Sequence, residues 1–169
     1  MASIDIVVPC RKWAHSVPDL ERLCRRFVLA ALAATEDTAG RAVPDAELRI
    51  ALTDDGGARD LNRRFRGIDK ATNVLSFPAH GPGTRRDADP QGLGDIMVAF
   101  ETTAREANAQ GVTTADHLAH LLVHGALHLR GHDHERAADA EIMEALETDI
   151  LARFGIADPY RGTFAERPS

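Results

Sequence analysis

The sequence predicts an α+β fold: a small mixed β-sheet packed with helices around one buried central helix that carries histidines. Three observations lead there. Segments of strand character concentrate before residue 100 and helical periodicities after it. The stretch 114–130 is apolar nearly all the way round, with Leu118, Leu121, Leu122, Val123, Ala126, Leu127 and Leu129, which is the pattern of a central helix. Finally, 169 residues with 44 % hydrophobic and 27 % charged side chains suffice for one ordinary core and are too few to expect two. A single domain over residues 1–169 is therefore expected, with its core over 3–160 and a short tail over 161–169.

In chain order, "SIDIVV" (3–8) is β-branched and partly alternating, and Pro9 ends it, so it reads as a strand. "PDLERLCRRFVLAALAAT" (18–35) places Leu20, Leu23, Phe27, Ala30 and Ala31 at helical spacing, with Pro18 at a first-turn position. "AELRIALTD" (46–54) reads as a second strand, and "DGGARDLNRRFRG" (55–67) as a short helix ending near Gly67. "TNVLSFPA" (72–79) is a third strand that stops at Pro78. Residues 80–94, rich in Gly, Pro and charge, form a loop longer than ordinary connections, and "DIMVAF" (95–100) resumes a strand. A helix over 101–111 is closed by Gly111. A longer one follows over about 114–130, and a last one over about 136–154 is closed by Gly155. No internal repeat is evident.

Composition excludes several roles. A formal charge of −6 argues against a protein that coats nucleic acid by bulk charge. No apolar run approaches a membrane span, and the N-terminus lacks the pattern of a secretory signal, so a cytoplasmic protein without a membrane partner is expected. Cys10 and Cys24 are too few for a disulfide framework and are read as reduced, packed thiols. One local basic stretch stands out: "ARDLNRRFRGIDK" sets Arg59, Arg63, Arg64, Arg66 and Lys70 against Asp60 and Asp69. It is either a solvated helix face or a phosphate-binding patch.

The apolar helix opens with Thr113 and Asp116 in a capping-box-like arrangement. His117, His120, His124 and His128 then fall at i, i+3, i+7 and i+11 and line one side of it. Imidazoles along a buried helix need partners, because an unpaired one away from water is unfavourable. His124 and His128, four residues apart, can aim ring nitrogens at one ion from successive turns. Gly131 permits the left-handed turn that brings His134 to the same ion. This HxxxHxxGxxH spacing is best known from zinc proteases, so a zincin-like metal site is expected. Three neutral imidazoles leave a fourth tetrahedral position for water or substrate, the arrangement of catalytic rather than structural zinc.

The neighbouring histidines are read differently. His120 is the next candidate ligand, ranked below His134 because three ligands on one straight helix spread further than an ion spans; it is read as supporting the site or as core. His117 is expected as a solvated first-turn side chain, His15 and His80 as surface or loop residues, and His132 as a turn residue. Asp133 is either a plain turn residue or the acceptor for a ligand's second nitrogen. Gly125 stands where the zinc proteases keep their catalytic glutamate, so no carboxylate there can deprotonate a water. A glycine inside a helix costs roughly 1 kcal/mol against alanine, which implies close approach of a strand or a substrate.

With these residues in view, "HGALHLRGHDHE" (124–135) resembles the HGxLHLxGxDH signature of the YbeY family of bacterial endoribonucleases. "LNRRFRGIDKATNVLSFP" (61–78) is similar to that family's LNxxYRxxDxxTDVLSFP block, "LGDIMVAF" (93–100) to its LGDI strand, and "EIMEALETDILARFGIADPY" (141–160) to its closing helix and tail. The resemblance covers about residues 47–160. His132 departs from it, since the family commonly has an aromatic residue there.

The resemblance implies a zinc-dependent, single-strand-specific endoribonuclease of ribosomal RNA. It implies action in maturation of the 3′ end of the small-subunit 16S RNA and in ribosome quality control. Expected partners are single-stranded rRNA, the ribosome or its small subunit, and assembly factors. One Zn2+ would be held by His124, His128 and His134, with Arg66 matching the family's functional arginine, and Arg66 and His124 are the residues expected in catalysis. A guanidinium suits a phosphodiester because it stays charged and donates paired hydrogen bonds to phosphate. Asn62, Thr72, Asn73 and Ser76 either line the cleft or cap and pair the loop. The general base, and the choice between water and the RNA 2′-hydroxyl as nucleophile, stay open. Two rivals stay open as well: a zinc-dependent protease or amide hydrolase, and a non-catalytic ribosome-assembly factor whose zinc is structural.

Overall fold

The computed structural model describes residues 3–35, 47–79, 92–132 and 134–161. The strands are β1 (Ser3–Val7), β2 (Glu47–Thr53), β3 (Val74–Pro78) and β4 (Gly92–Ala99). The helices are α1 (Lys12–Ser16), α2 (Leu20–Ala34), α3 (Asp55–Arg66), α4 (Phe100–Gln110), α5 (Thr114–Leu129) and α6 (Ala137–Ala152). The sheet is mixed and runs β1-β2-β4-β3, with β1, β2 and β4 parallel and β3 antiparallel to β4 at one edge. The α+β class and the mixed sheet are as the sequence predicts.

Strand period explains how the sheet is covered. Leu48, Ile50 and Leu52 alternate inward along β2. β4 is buried without a break from Ile96 to Ala99, as a strand covered on both faces must be. Ile96 and Val98 join the main core with α5, whereas Met97 and Ala99 join a smaller cluster with Ala58 of α3 and Leu75 of β3. Helix α5 packs against α2, α4, α6, β3 and β4, so it is the central helix that its all-round apolar sequence predicts. Cys10 and Cys24 are buried, reduced thiols, and burial pushes the Cys24 thiol up to about 12.

Three local features differ from the sequence reading. Residues Lys12–Ser16 form a single helical turn that no periodicity announces. Its order comes from Trp13, fully buried, whose Nε1–H donates to the Thr53 carbonyl at 2.8 Å while the ring meets Phe100 edge-on. Helix α2 starts at Leu20 behind a left-handed Asp19, so Pro18 precedes the cap and is not in the first turn. β4 starts at Gly92 rather than 95, because Gly94, at φ 133°, lets that strand approach the end of β3. A Cβ at Gly94 would collide with the Phe77 carbonyl. Most of the loop expected over 80–94 lies outside the described residues, as do His80 and all but the first residue of the 161–169 tail.

Gly125 answers to a strand. A Cβ added there would lie 3.0 Å from Ile96 Cγ2 and 3.2 Å from Ser76 Oγ, so the glycine sets how closely α5 rests on β4 and β3. Ile96 is fully buried in a central strand, so it yields only by displacing packed neighbours. Gly125→Ala should therefore be net destabilising, because overpacking of about 1–3 kcal/mol outweighs the roughly 1 kcal/mol of helix propensity it gains. Thermal unfolding should show the midpoint lowered by about 2–4 °C; a raised midpoint would refute this account of the packing.

Candidate metal centre

His124 and His128 leave α5 on successive turns, with ring centroids 5.7 Å apart and planes at 88°. Helix α5 then stops in a Schellman turn. Gly131, at φ 94°, donates its N–H to the His128 carbonyl at 3.0 Å, and His132 donates its N–H to the Leu127 carbonyl at 3.1 Å. The reversal returns His134, whose ring lies 5.3 Å from that of His124 and 5.4 Å from that of His128. Each of the three side chains offers a donor atom within 4.8 Å of the others, and no other group of three or more potential ligands among the described residues does so. Three convergent imidazoles suit a divalent transition metal. Burial falls along the set, from His124 buried through His128 half-buried to His134 exposed, so the centre opens toward solvent. His132 serves the turn through its backbone and stands outside the cluster; burial and then Arg130 hold its imidazole below the usual range. Asp133 lies outside the described residues.

Behind His124 stands a residue that sequence reasoning did not single out. Glu147 of α6 has no exposed surface. Its Oε1 accepts from His124 Nδ1 at 2.5 Å, and its Oε2 accepts from His120 Nε2 at 3.0 Å and from the Tyr160 hydroxyl. Burial pushes the Glu147 carboxyl up, but the hydrogen bonds from His120 and His124 more than reverse this and bring it down to about 2. An ionised carboxylate only accepts, so the His124 proton sits on Nδ1 and Nε2 is the nitrogen it can turn toward an ion. At His120 burial is the largest influence and lowers the pKa against the opposing pull of Glu147, and its Nε2, facing the ionised carboxylate, carries a proton. His120 thus supports the site from behind and is not a third ligand on the helix. The signal for Glu147 was present in the period of α6, where Met143, Glu147, Ile150 and Leu151 share the buried side.

His117 departs from its expected place. It is buried, not solvated, and its Nε2 bonds Glu106 of α4 at 3.0 Å. Glu106 also accepts from Asn73 Nδ2 at 3.1 Å, and Asn73 Oδ1 accepts from the Val74 amide at 2.7 Å. The helix end lies at the buried junction with α4, which single-helix periodicity does not reveal. His15 is exposed, as expected.

The basic stretch divides. Arg59 makes a paired bond with Asp69 at 2.6 and 3.0 Å, and Arg63 and Arg64 both pair with Asp60, so these three read as a solvated helix face. Arg66 makes no such ion pair among the described residues. It donates to the Ser76 carbonyl at 3.2 Å, with its guanidinium 5.7 Å from the centre of the Phe77 ring. The Ser76 hydroxyl in turn donates to the Gly125 carbonyl at 3.4 Å, so one residue of β3 links Arg66 to the histidine helix. Asn62 pairs the loop through the Lys70 carbonyl at 2.8 Å, Asn73 starts β3, and Thr72 is half-buried beside it.

Comparison with known proteins agrees with these features. Residues 10–155 match the family model described as endoribonuclease YbeY. Proteins named Endoribonuclease YbeY include one from Bradyrhizobium sp. strain BTAi1, 50 % identical over 158 residues that cover 92 % of this chain and 90 % of that protein. One from Rhodopseudomonas palustris strain BisB18 is 53 % identical over 157 residues, covering 92 % and 89 %. One from Methylocella silvestris is 46 % identical over 162 residues, covering 96 % and 88 %. A solution structure from Thermotoga maritima aligns with a TM-score of 0.51 and 20 % identity over 99 % of this chain and 100 % of that one, a likeness of fold.

The carboxylate behind His124 can be tested directly. Glu147→Gln preserves shape, but a carboxamide accepts through one oxygen only and turns its NH2 toward a donor. Affinity for a divalent transition metal, read by chelator competition, should fall about 10–100-fold while the far-UV spectrum stays unchanged. Unaltered affinity would remove Glu147 from the site.

Proposed function

The chain belongs to the YbeY endoribonuclease family, and from that premise we propose that it is a zinc-dependent hydrolase that cuts single-stranded RNA. In this reading it acts in the cytoplasm as one domain over residues 1–169. Its substrate is ribosomal RNA, in particular the 3′ end of the small-subunit 16S RNA, and it works with the ribosome and its assembly factors in maturation and quality control. No helix among the described residues is long and apolar enough to cross a membrane.

The observation that carries the reading is the convergence of His124, His128 and His134 within 4.8 Å, with Arg66 tied through Ser76 to the same helix. These three side chains would hold the ion, and zinc bound there supplies Lewis acidity at a phosphodiester. Glu147 holds the His124 ring in the tautomer that a ligand needs. Arg66 presents the planar donors of a guanidinium to the phosphate, where negative charge grows as the bond breaks. Its bond to the Ser76 carbonyl is to a neutral acceptor, which an anionic phosphate outcompetes.

Neither rival has comparable support. The side of α5 at Gly125 rests on Ile96 and Ser76 and has no space for the carboxylate that a zinc protease uses as its base. A purely structural zinc favours a closed set of four ligands, whereas three imidazoles graded from buried to exposed leave a position open.

Labelled single-stranded rRNA fragments incubated with wild type, His128→Ala and Arg66→Ala, each with measured zinc, test the proposal. His128→Ala should lose both zinc and cleavage. Arg66→Ala should keep its zinc and cleave about 10²–10³-fold more slowly. Equal cleavage by all three would identify a contaminating nuclease and end the assignment.

A further inference from the structure

Phe65 is the most exposed large hydrophobic side chain among the described residues, at 68 %, and Ile68, three residues on, is 50 % exposed. A single exposed apolar side chain needs no explanation, but a contiguous group marks a surface that meets a partner. The Phe65 ring is one of such a group. Its centroid lies 5.6 Å from that of half-buried Phe77, with the planes at 58°, and the Arg66 guanidinium lies 5.7 Å from the Phe77 centroid. Two rings and a guanidinium thus form one patch at the C-terminal end of α3. The charge around it is mostly of one sign: residues 59–70 hold five cations and two carboxylates, in a chain of net charge −6. Arg63 and Arg64 share the Asp60 carboxylate, Arg59 takes Asp69, and Arg66 is left without an ion pair among the described residues.

The patch is continuous with the metal centre through β3, the edge strand of the sheet. Ser76 and Phe77 are consecutive and so point to opposite faces. Ser76 reaches the Gly125 carbonyl of α5, whereas Phe77 packs on the cluster of Leu75 and Ala58 under α3. Arg66 bridges the two, bonded to the Ser76 carbonyl and set beside the Phe77 ring.

We propose that Phe65, backed by Phe77, is a stacking platform for a nucleobase of the RNA strand being cut, with the adjoining phosphate on Arg66 and the strand passing round the β3 edge to the histidine cluster. The inference rests on the endoribonuclease reading and adds a substrate-binding surface to it. A ring face accepts any base, and only a single strand has base faces to offer, because in a duplex they are covered by their neighbours. A guanidinium one residue from the exposed ring matches the anatomy of a nucleotide, in which one sugar joins base to phosphate. The cationic surround complements the same strand. A protein docking on an apolar patch would accept any apolar side chain of similar size at position 65, whereas a base needs the face of a ring.

Phe65→Leu separates these cases, since it keeps an apolar side chain and removes the ring at a position too exposed for folding to depend on it. Zinc-loaded wild type and variant are titrated with a labelled single-stranded oligoribonucleotide, an abasic strand of the same length and a duplex. Phe65→Leu should bind the single strand about tenfold more weakly and raise KM for its cleavage by a similar factor, with zinc content unaltered. The abasic strand and the duplex should not distinguish variant from wild type. Phe65→Trp should restore binding, and its indole emission should be quenched by the single strand and not by the abasic one; the native Trp13 is fully buried and out of reach. Equal affinity of wild type and Phe65→Leu for the single strand overturns the proposal and leaves the patch to a protein partner. An equal loss toward the abasic strand overturns it too, as does a wild type that binds no single strand. If wild type binds the single strand and cuts nothing, the contrast between strands still upholds the platform while the endoribonuclease reading falls; if Phe65→Leu binds and cuts as wild type does, the platform alone falls.

Discussion

A carboxylate with no exposed surface, Glu147, accepts hydrogen bonds from His120, His124 and the Tyr160 hydroxyl, and the placement of α5 follows from that constraint. A buried ionised group is tolerable only when its lone pairs are met, and breaking such a set leaves an uncompensated charge. Rotating α5 by one residue would carry His120 and His124 away from α6. The helix is held from its other side by Gly125, whose missing side chain lets the backbone lie against Ile96 and Ser76. One face is thus set by hydrogen bonds and the other by sterics, and the direction in which the clustered imidazoles point follows from both.

The four histidines of α5 perform graded tasks. His117 is tied to Glu106, and through it to Asn73 at the start of β3, which joins the helix to the edge strand. His120 and His124 share the Glu147 carboxylate, and His128 stands at the last turn, where the Schellman reversal brings in His134. Burial decreases in the same direction. The N-terminal histidine therefore serves the fold, and the C-terminal pair stands where an ion can be reached from solvent. Arg66 is delivered by different means, from the end of α3 capped by a left-handed Gly67, and β3 connects it to α5.

Much of this was legible beforehand. The mixed sheet, the central helix, the left-handed Gly131 and the convergence of His124, His128 and His134 follow from strand period, all-round apolarity and spacing, because each is a property of one local segment. The close approach implied by Gly125 was legible too, though not whether a strand or a substrate made it. The single-turn α1, the early start of β4 and the burial of His117 were not, since Trp13, Gly94 and Glu106 take their effect from neighbours distant in sequence. Glu147 was visible only as a charge at an inward position of α6.

The basic stretch shows the same division. Arg59, Arg63, Arg64 and Arg66 are equivalent as residue types, yet acids within a few turns pair the first three and leave Arg66 to the Ser76 carbonyl. The sequence by itself determined which side chains are available, on which elements, and that three histidines share one ion-sized space, because helix period and a glycine turn are local geometry. Only the tertiary structure decided which nitrogen His124 can offer, what approaches Gly125 and which arginine is tied through Ser76 to the helix. Those outcomes depend on burial and on partners from other elements, and hydrogen bonds and desolvation act through space rather than along the chain.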